Sequence, residues 1–397
     1  MARITFVITN DKHHLAMMAP VARALSGRHQ VDLLSFCEVR GLRTPPGAAE
    51  GLSGRLTRVP PFGFRSGGAE SLDAVVPVDS RRARELIRTL AWNLLLRHLF
   101  TLDHRDVVVV PHDVAFPCNR VCRRLRALGI PFVLVQEGVR YPLPAQRAVP
   151  YGTGGADALA VWGPADVDYF GSIGVERSRL HPVGNPRYDA ILAVDWKDKA
   201  DALRARGELP ARYLVFASNT IDAQGFCTRE QKLASFGAFV AQALPLLKAR
   251  GLDLAVKLHG RDSRDDYARA AGELAGQVVF IAPEHPLHAV LAGAQAVVNW
   301  ASTVGLEAML HDVPVGVLET PGHGHVFDYV STGAAVGLRS GAAALAKDFD
   351  RLLSGDPVLH ARAIEYLDRR LACRGRSTAA VAGIIDGLAS GGRMPAA

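Results

Sequence analysis

Short apolar runs rich in β-branched residues alternate with amphipathic helical patterns along most of this 397-residue chain. That alternation restricts it to parallel βαβ units with right-handed crossovers. The first half carries ITFVITN (4–10), QVDLLSF (30–36), DVVVVP (106–111), PFVLVQE (131–137) and ALAVWG (158–163). Between them lie HLAMMAPVARALSG (14–27) and NRVCRRLRALG (119–129), with Gly27 and Gly129 placed to end helices. The alternation fails over 185–210, a polar, helix-prone stretch. It restarts with RYLVFAS (212–218), LDLAVKLH (252–259), QVVFIAP (277–283), AVVNW (296–300) and VPVGVLE (313–319). The reading is α/β: two Rossmann-like doubly wound parallel-sheet domains facing a cleft, residues 1–190 and 191–397, the second including the C-terminal helices. Ligands of open α/β sheets bind at the carboxyl ends of the strands. The polar residues that follow each apolar run are therefore the candidates for chemistry.

Composition narrows the class. With 49% apolar and 21% charged residues, the chain can build two full cores. Its N-terminus lacks the long apolar region of a secretory signal, and no run approaches the roughly 18 residues of a spanning helix. Five cysteines, with no pair at zinc-finger spacing, fit a reduced cytoplasmic protein. Cys118 and Cys122 are spaced as helical neighbours. The net charge of +7 suits an anionic small molecule or an anionic membrane face. Nucleic acid is disfavoured, because there is no zinc finger, RNP aromatic motif or basic tail. Residues 45–80, with many Gly and Pro, read as an extended loop. Residues 81–100 read as a helix with an arginine outer face and an apolar inner one, and a membrane contact is the alternative.

Several polar clusters carry the chemistry. In AVVNWASTVGLEAML, Ser302 and Thr303 stand between an apolar strand and a helix, where free amides and a positive dipole attract anions. Glu307 lies one helical turn beyond, positioned to accept ribose hydroxyls or simply to be solvated. In AVKLHGRDS, Lys257 and His259 share a strand face, Gly260 permits close backbone approach, and Arg261 adds charge. Ser218, Asn219 and Thr220 form a polar turn, either a phosphate contact or a plain turn. In the first half, Asp11, His13 and His14 sit between the first strand and its helix, and histidine suits base chemistry near neutrality. Gln136, Glu137 and Gly138 follow a buried strand. Glu137 can deprotonate a hydroxyl or pair with an arginine, and Arg140 can hold an acid group. In HPVGNPRYDAI, Gly184 and Pro186 form a turn, Arg187 and Asp189 are spaced to pair locally, and the segment reads as a hinge. His323 and His325 have no carboxylate or Cys at ligand spacing, so no metal or cofactor is expected.

These segments resemble known families. The two-domain pattern is similar to GT-B glycosyltransferases, and HHLAMMAPVARAL looks like the first helix of that group, including UDP-N-acetylglucosamine 2-epimerases. The segment VWGPADVDYFGSIGVERSRLHPVGNPRYDAI resembles bacterial surface-polysaccharide transferases and CDP-glycerol glycerophosphotransferases. QEG, KLHG and STVGLEAML resemble the acidic-Gly, His-Pro and Ser-Ser/Thr motifs of bacterial sialyl- and Kdo-transferases. Gly260 replaces the proline of one motif, and Gln136 replaces an acidic partner in another. The epimerase Gly-Arg-Pro-Glu motif is absent.

The resemblance implies a metal-independent glycosyltransferase acting from a UDP- or CMP-linked sugar on a glycan, lipid-linked or small-molecule hydroxyl. Glu137, or alternatively His14, would be the base. Asp11, His13 and Arg140 would face the acceptor. Lys257, His259, Ser302 and Thr303 would hold phosphate, and Glu307 the ribose. A CDP-alcohol phosphotransferase, a nucleotide-sugar 2-epimerase and a catalytically inactive nucleotide-binding scaffold are the alternatives.

Overall fold

The computed structural model describes residues 1–61, 82–101, 104–140 and 150–391. Much of the expected 45–80 loop and the tail beyond Gly391 lie outside these residues. The described chain falls into two units, one of residues 1–140, 150–193 and 370–391, the other of residues 194–369.

The sheet of the first unit contains β1 (Arg3–Ile8), β2 (Gln30–Ser35), β3 (Leu56–Arg58), β4 (Val107–Val110), β5 (Phe132–Val135), β6 (Ala158–Val161) and β7 (Leu180–Pro182). Their order is β3-β2-β1-β4-β5-β6-β7, all parallel. The second unit has β8 (Tyr213–Ala217), β9 (Asp253–Lys257), β10 (Val278–Phe280), β11 (Ala296–Asn299), β12 (Val315–Leu318) and β13 (Val336–Leu338). These are ordered β10-β9-β8-β11-β12-β13, again all parallel. Both sheets are doubly wound, as the alternation predicts. Strand order reverses between β1 and β4 in the first and between β8 and β11 in the second, the places where such sheets bind ligands.

Buried runs such as Val107–Val110 form central strands because helices cover both faces of a parallel sheet. One core layer joins β1, β2 and β4 to Met17, Val21 and Leu25 of the helix His13–Ser26. The other joins the opposite face to Trp92, Leu96, Phe100 and the helix Cys118–Leu128. Burial of Trp92, Leu96 and Phe100 gives the helix Arg82–Thr101 its core-facing side. Among the described residues no helix is long and apolar enough to cross a membrane. Cys118 and Cys122 are buried one turn apart on their helix. Gly129 ends that helix in the left-handed region, with φ 65°. Gly27 ends its helix with an ordinary φ of −73° that any residue can adopt.

The C-terminal segment corrects the expected division of the chain. The helix Ser377–Ala389 belongs to the first unit, where Val381, Ala382, Ile384 and Ile385 complete the core around β1 and β4. The GNPR segment receives this return. Asn185 caps the helix Pro186–Leu192 by accepting from Arg187 N. Asp189 accepts from Ser377 N (3.1 Å) and Thr378 N (2.7 Å), capping the last helix. The local Arg187–Asp189 pair read from the sequence is therefore not the one formed. Two orphan amides of a helix start are the better partners for that carboxylate.

Candidate functional site

At the carboxyl ends of β1, β4 and β5, three histidines gather around Glu137, two of them on its carboxylate and one on its backbone carbonyl. After β1, Asn10 Oδ1 accepts from the amides of Lys12 (3.0 Å) and His13 (2.7 Å), and this turn starts the first helix. Asp11 is half-exposed in the turn, and His13 and His14 open the helix. After β5, the buried Gln136 locks the next turn. Its Nε2 donates to Gly138 O and Asp166 Oδ1, both at 2.9 Å, and its Oε1 accepts from Trp162 N at 3.0 Å. Gln136 thus positions the neighbouring Glu137 through the backbone. The position where the resembled families carry an acid is occupied by an anchor that needs both a donor and an acceptor.

The histidine tautomers follow from backbone amides, which can only donate. Thr9 N donates to His14 Nδ1 at 3.1 Å, so the ring proton is on Nε2, which donates to Glu137 Oε2 at 2.7 Å. Val114 N and Ala115 N donate to His112 Nδ1 at 3.1 and 2.9 Å. His112 Nε2–H therefore faces Glu137 Oε1, 3.6 Å away. Arg187 Nη1 donates to His13 Nδ1 at 3.4 Å, and His13 Nε2 donates to the Glu137 carbonyl at 2.6 Å. No ring in the cluster has a lone pair left for base work, and Oε1 is the carboxylate oxygen without a short hydrogen bond.

The electrostatics agree. Burial by itself would raise the Glu137 pKa, but His112, His14 and Arg140 outweigh it and hold the carboxyl below the usual carboxylate range. Glu137 therefore stays ionised at neutral pH. Burial also lowers the His13 pKa, helped by Arg187 and His14. Arg140 donates through Nε to Gly138 O at 3.0 Å and lies over the Tyr151 ring, 4.0 Å from its centroid. Asp113 accepts from Gly152 N (3.0 Å) and Gly154 N (2.6 Å), so the glycine-rich GTGG segment clasps the turn after β4.

Burial lowers the His112 pKa from 6.5 to about 4, against the raising effect of Glu137. The unfolded chain therefore takes a proton on this residue between about pH 6.5 and 4 while the folded ring does not. Stability should be unaffected by His112 above that window and should fall as the pH drops through it, by up to about 3 kcal/mol. Urea midpoints at pH 7, 5.5 and 4.5 should show the loss, and His112→Gln should flatten the slope. An equal slope in the variant would refute this account.

In the second unit, hydrogen bonds join the polar turns read from the sequence. Ser218 Oγ donates to Asp262 Oδ2 at 2.7 Å and accepts from His259 N at 2.8 Å, tying the turn after β8 to that after β9. Asn219 Nδ2 donates to Ala301 O, tying the β8 turn to the one after β11. Thr220 is half-buried beside them, while Gly260 and Arg261 are exposed. His259 Nδ1 accepts from Arg261 N at 3.3 Å, which places the ring proton on Nε2. A Cβ at Gly260 would meet nothing within 4 Å, so packing does not demand glycine there. Ser302 Oγ accepts from Val304 N at 3.2 Å, as a helix-start residue should, and Thr303 is half-buried at the N-cap of the helix Val304–Met309.

Two of the expected ligand contacts take different positions. Lys257 Nζ donates to the carbonyls of Ala282 (2.7 Å), Pro283 (3.1 Å) and His285 (2.9 Å). Three carbonyls use all three ammonium protons and leave none for a phosphate. Lys257→Met should destabilise the second unit by about 2–3 kcal/mol and change nucleotide affinity little, which paired denaturation and binding titrations would check. Glu307 is buried, with Oε2 3.8 Å from His288 Nε2, and His288 Nδ1 meets His311 Nε2 at 3.0 Å. The helix bearing Glu307 packs beside Leu287–Ala292, and the carboxylate shares that buried locality with His288.

Sequence reasoning passed over His112 and Asn299. His112 directly follows β4, and its place at a strand end was the available signal. Asn299 ends β11 fully buried. Among the described residues neither of its amide atoms has a hydrogen-bond partner, and the same holds for Asn219 Oδ1 and Thr320 Oγ1 after the flanking strands.

No protein-family model and no curated protein matches this chain. Solved structures do. The S. aureus MnaA–UDP co-structure superposes with a TM-score of 0.64 at 14% identity, over 98% of this chain and 96% of that one. The Methanocaldococcus jannaschii UDP-GlcNAc 2-epimerase in complex with UDP-GlcNAc and UDP gives 0.60 at 14%, over 97% and 99%. The wall teichoic acid polymerase TagF gives 0.58 at 11%, over 98% and 89%. The chain has the GT-B type of fold. At these identities the likeness establishes the fold alone.

Proposed function

We propose that this protein is a glycosyltransferase that moves a sugar from a nucleotide-sugar donor to a hydroxyl acceptor, with Glu137 as general base. The observation that carries the proposal is the first-unit cluster, a buried carboxylate kept ionised by His112, His14 and Arg140, with Oε1 left to take a proton. In the reaction, the acceptor oxygen bonds to the anomeric carbon while its proton passes to Glu137 Oε1. The bond from that carbon to the donor phosphate breaks, and the nucleotide leaves with the electron pair. His14 and His112 orient the carboxylate and take no proton themselves, since amides occupy both Nδ1 atoms. This favours Glu137 over His14 as the base.

In the second unit, His259 Nε2–H, Arg261, Thr303 and the turn at Ser218–Thr220 are the proposed phosphate contacts. Their charge and donors would stabilise the leaving phosphate as negative charge builds. The reading requires no metal. The fold likeness to proteins solved with UDP and UDP-GlcNAc makes UDP the first nucleotide to test.

The same likeness supports nucleotide-sugar 2-epimerisation as a second reading, in which Glu137 would remove a ring proton of the sugar. Incubation with UDP-GlcNAc alone, followed by NMR, separates the two. A transferase consumes donor only when an acceptor is present, whereas an epimerase equilibrates the sugar without one. A transferase restricted to CMP-linked sugars would show itself with a CMP donor in the same format. Binding without turnover of any donor would leave the nucleotide-binding scaffold.

A further inference from the structure

The first unit holds a buried arginine that no described carboxylate neutralises. Arg40 ends the short helical turn Glu38–Arg40 after β2, next to β1 in the sheet, and is only 7% exposed. Its one side-chain hydrogen bond to a described residue runs from Nη1 to Thr9 Oγ1, at a long 3.5 Å. No described carboxylate lies within ion-pair distance of it. The nearby Glu38 instead uses Oε1 to accept from Thr44 N at 3.0 Å.

The same unit treats another buried arginine differently. Arg105, 3% exposed, donates to Thr5 Oγ1 and pairs with Asp32 Oδ2 at 3.3 Å. Guanidinium stays charged at any ordinary pH, and burying it without an anion is costly. A largely buried guanidinium with no described carboxylate beside it fits a planar oxyanion, which it can bind through two parallel hydrogen bonds.

The position of Arg40 links it to the reacting groups. Thr9, its partner, also contacts His14 through both its amide and its hydroxyl, at 3.1 and 3.3 Å, and His14 donates to Glu137. Arg40 is also close enough to His112 to act on it electrostatically. The guanidinium therefore borders the cluster around Glu137 without competing for its carboxylate.

We propose that Arg40 binds an oxyanion of the acceptor, a carboxylate or a phosphate, beside Glu137. The acceptor would then be an acidic molecule, held by its charge so that a hydroxyl meets Glu137 Oε1. The inference rests on the proposed role of Glu137 and specifies the substrate class of that site.

The test is titration of the full chain with inorganic phosphate and, separately, acetate. It is followed through the ring-nitrogen NMR signals of His14 and His112, which report only on this locality. Saturable shifts are expected with at least one anion, with affinity at least tenfold weaker in Arg40→Gln and partly restored in Arg40→Lys. Saturating UDP should leave the shifts in place, because the anion belongs to the acceptor. Absent shifts, equal affinity in Arg40→Gln, or displacement by UDP would overturn the inference. The wild-type titration decides even where a variant folds poorly. Transfer activity is not part of the readout, so loss of the glycosyltransferase reading and loss of this one register separately.

Discussion

Glu137→Gln should lower turnover by about 10²- to 10⁴-fold, the usual contribution of a positioned general base, while nucleotide binding stays within a few-fold of wild type. The substitution keeps the shape of the side chain and its acceptor for His14 Nε2, so the turn held by Gln136 should survive. It removes the negative charge and the only proton acceptor in the cluster, because both Nδ1 atoms of His14 and His112 already accept from amides. His14→Asn should cost less and leave a diagnostic trace. Loss of the bond to Oε2 removes one of the influences that hold the Glu137 pKa down. The acid limb of the pH–rate profile should then move to higher pH. Initial rates of wild type and His14→Asn, followed from pH 7 down to the lowest pH at which both remain folded, would check this. Near-wild-type turnover in Glu137→Gln would end the assignment.

Gly184→Ala should destabilise the first unit by about 3 kcal/mol, in the upper range for a point substitution. Gly184 has φ 78°, and a Cβ there would sit 2.1 Å from Ala372 O and 2.3 Å from Ser377 Oγ. The first of these is backbone and cannot rotate away. The clash falls where the chain returns to the first unit, next to Ala372 N bonded to Trp162 O at 2.8 Å and the cap given by Asp189. Gly129→Ala is the matched control. Its φ is 65°, but a Cβ would meet nothing within 4 Å. It should cost about 1–2 kcal/mol, the left-handed conformation alone. Denaturant midpoints for the two variants, with limited proteolysis near residue 372, measure the difference. Equal losses would show that the contact with the returning segment adds nothing.

The doubly wound α/β class and the identity of the central strands are readable from the sequence because they depend on local patterns. β-Branched apolar runs such as VVVV and FVLV bury both faces of a strand and cannot serve an exposed one. Glu137, His14 and His259 are visible for the same reason, as polar residues placed directly after such runs. All four edge strands are three residues long; β10 is visible only because it lies in the longer apolar run QVVFIAP, whereas β3, β7 and β13 have no such run around them.

Roles set by distant partners were decided by the tertiary structure. Lys257 has the residue type of a ligand contact, but three backbone carbonyls use its ammonium protons. The C-terminal helix returns to the first unit because Val381, Ala382, Ile384 and Ile385 bury in its core, and Asp189, nearly two hundred positions earlier, caps it. The proposal of Glu137 in preference to histidine as the base rests on which ring nitrogens accept backbone amides. Sequence patterning records how much apolar surface a segment must bury, whereas hydrogen-bond direction depends on which donors the fold brings within 3 Å of a given atom.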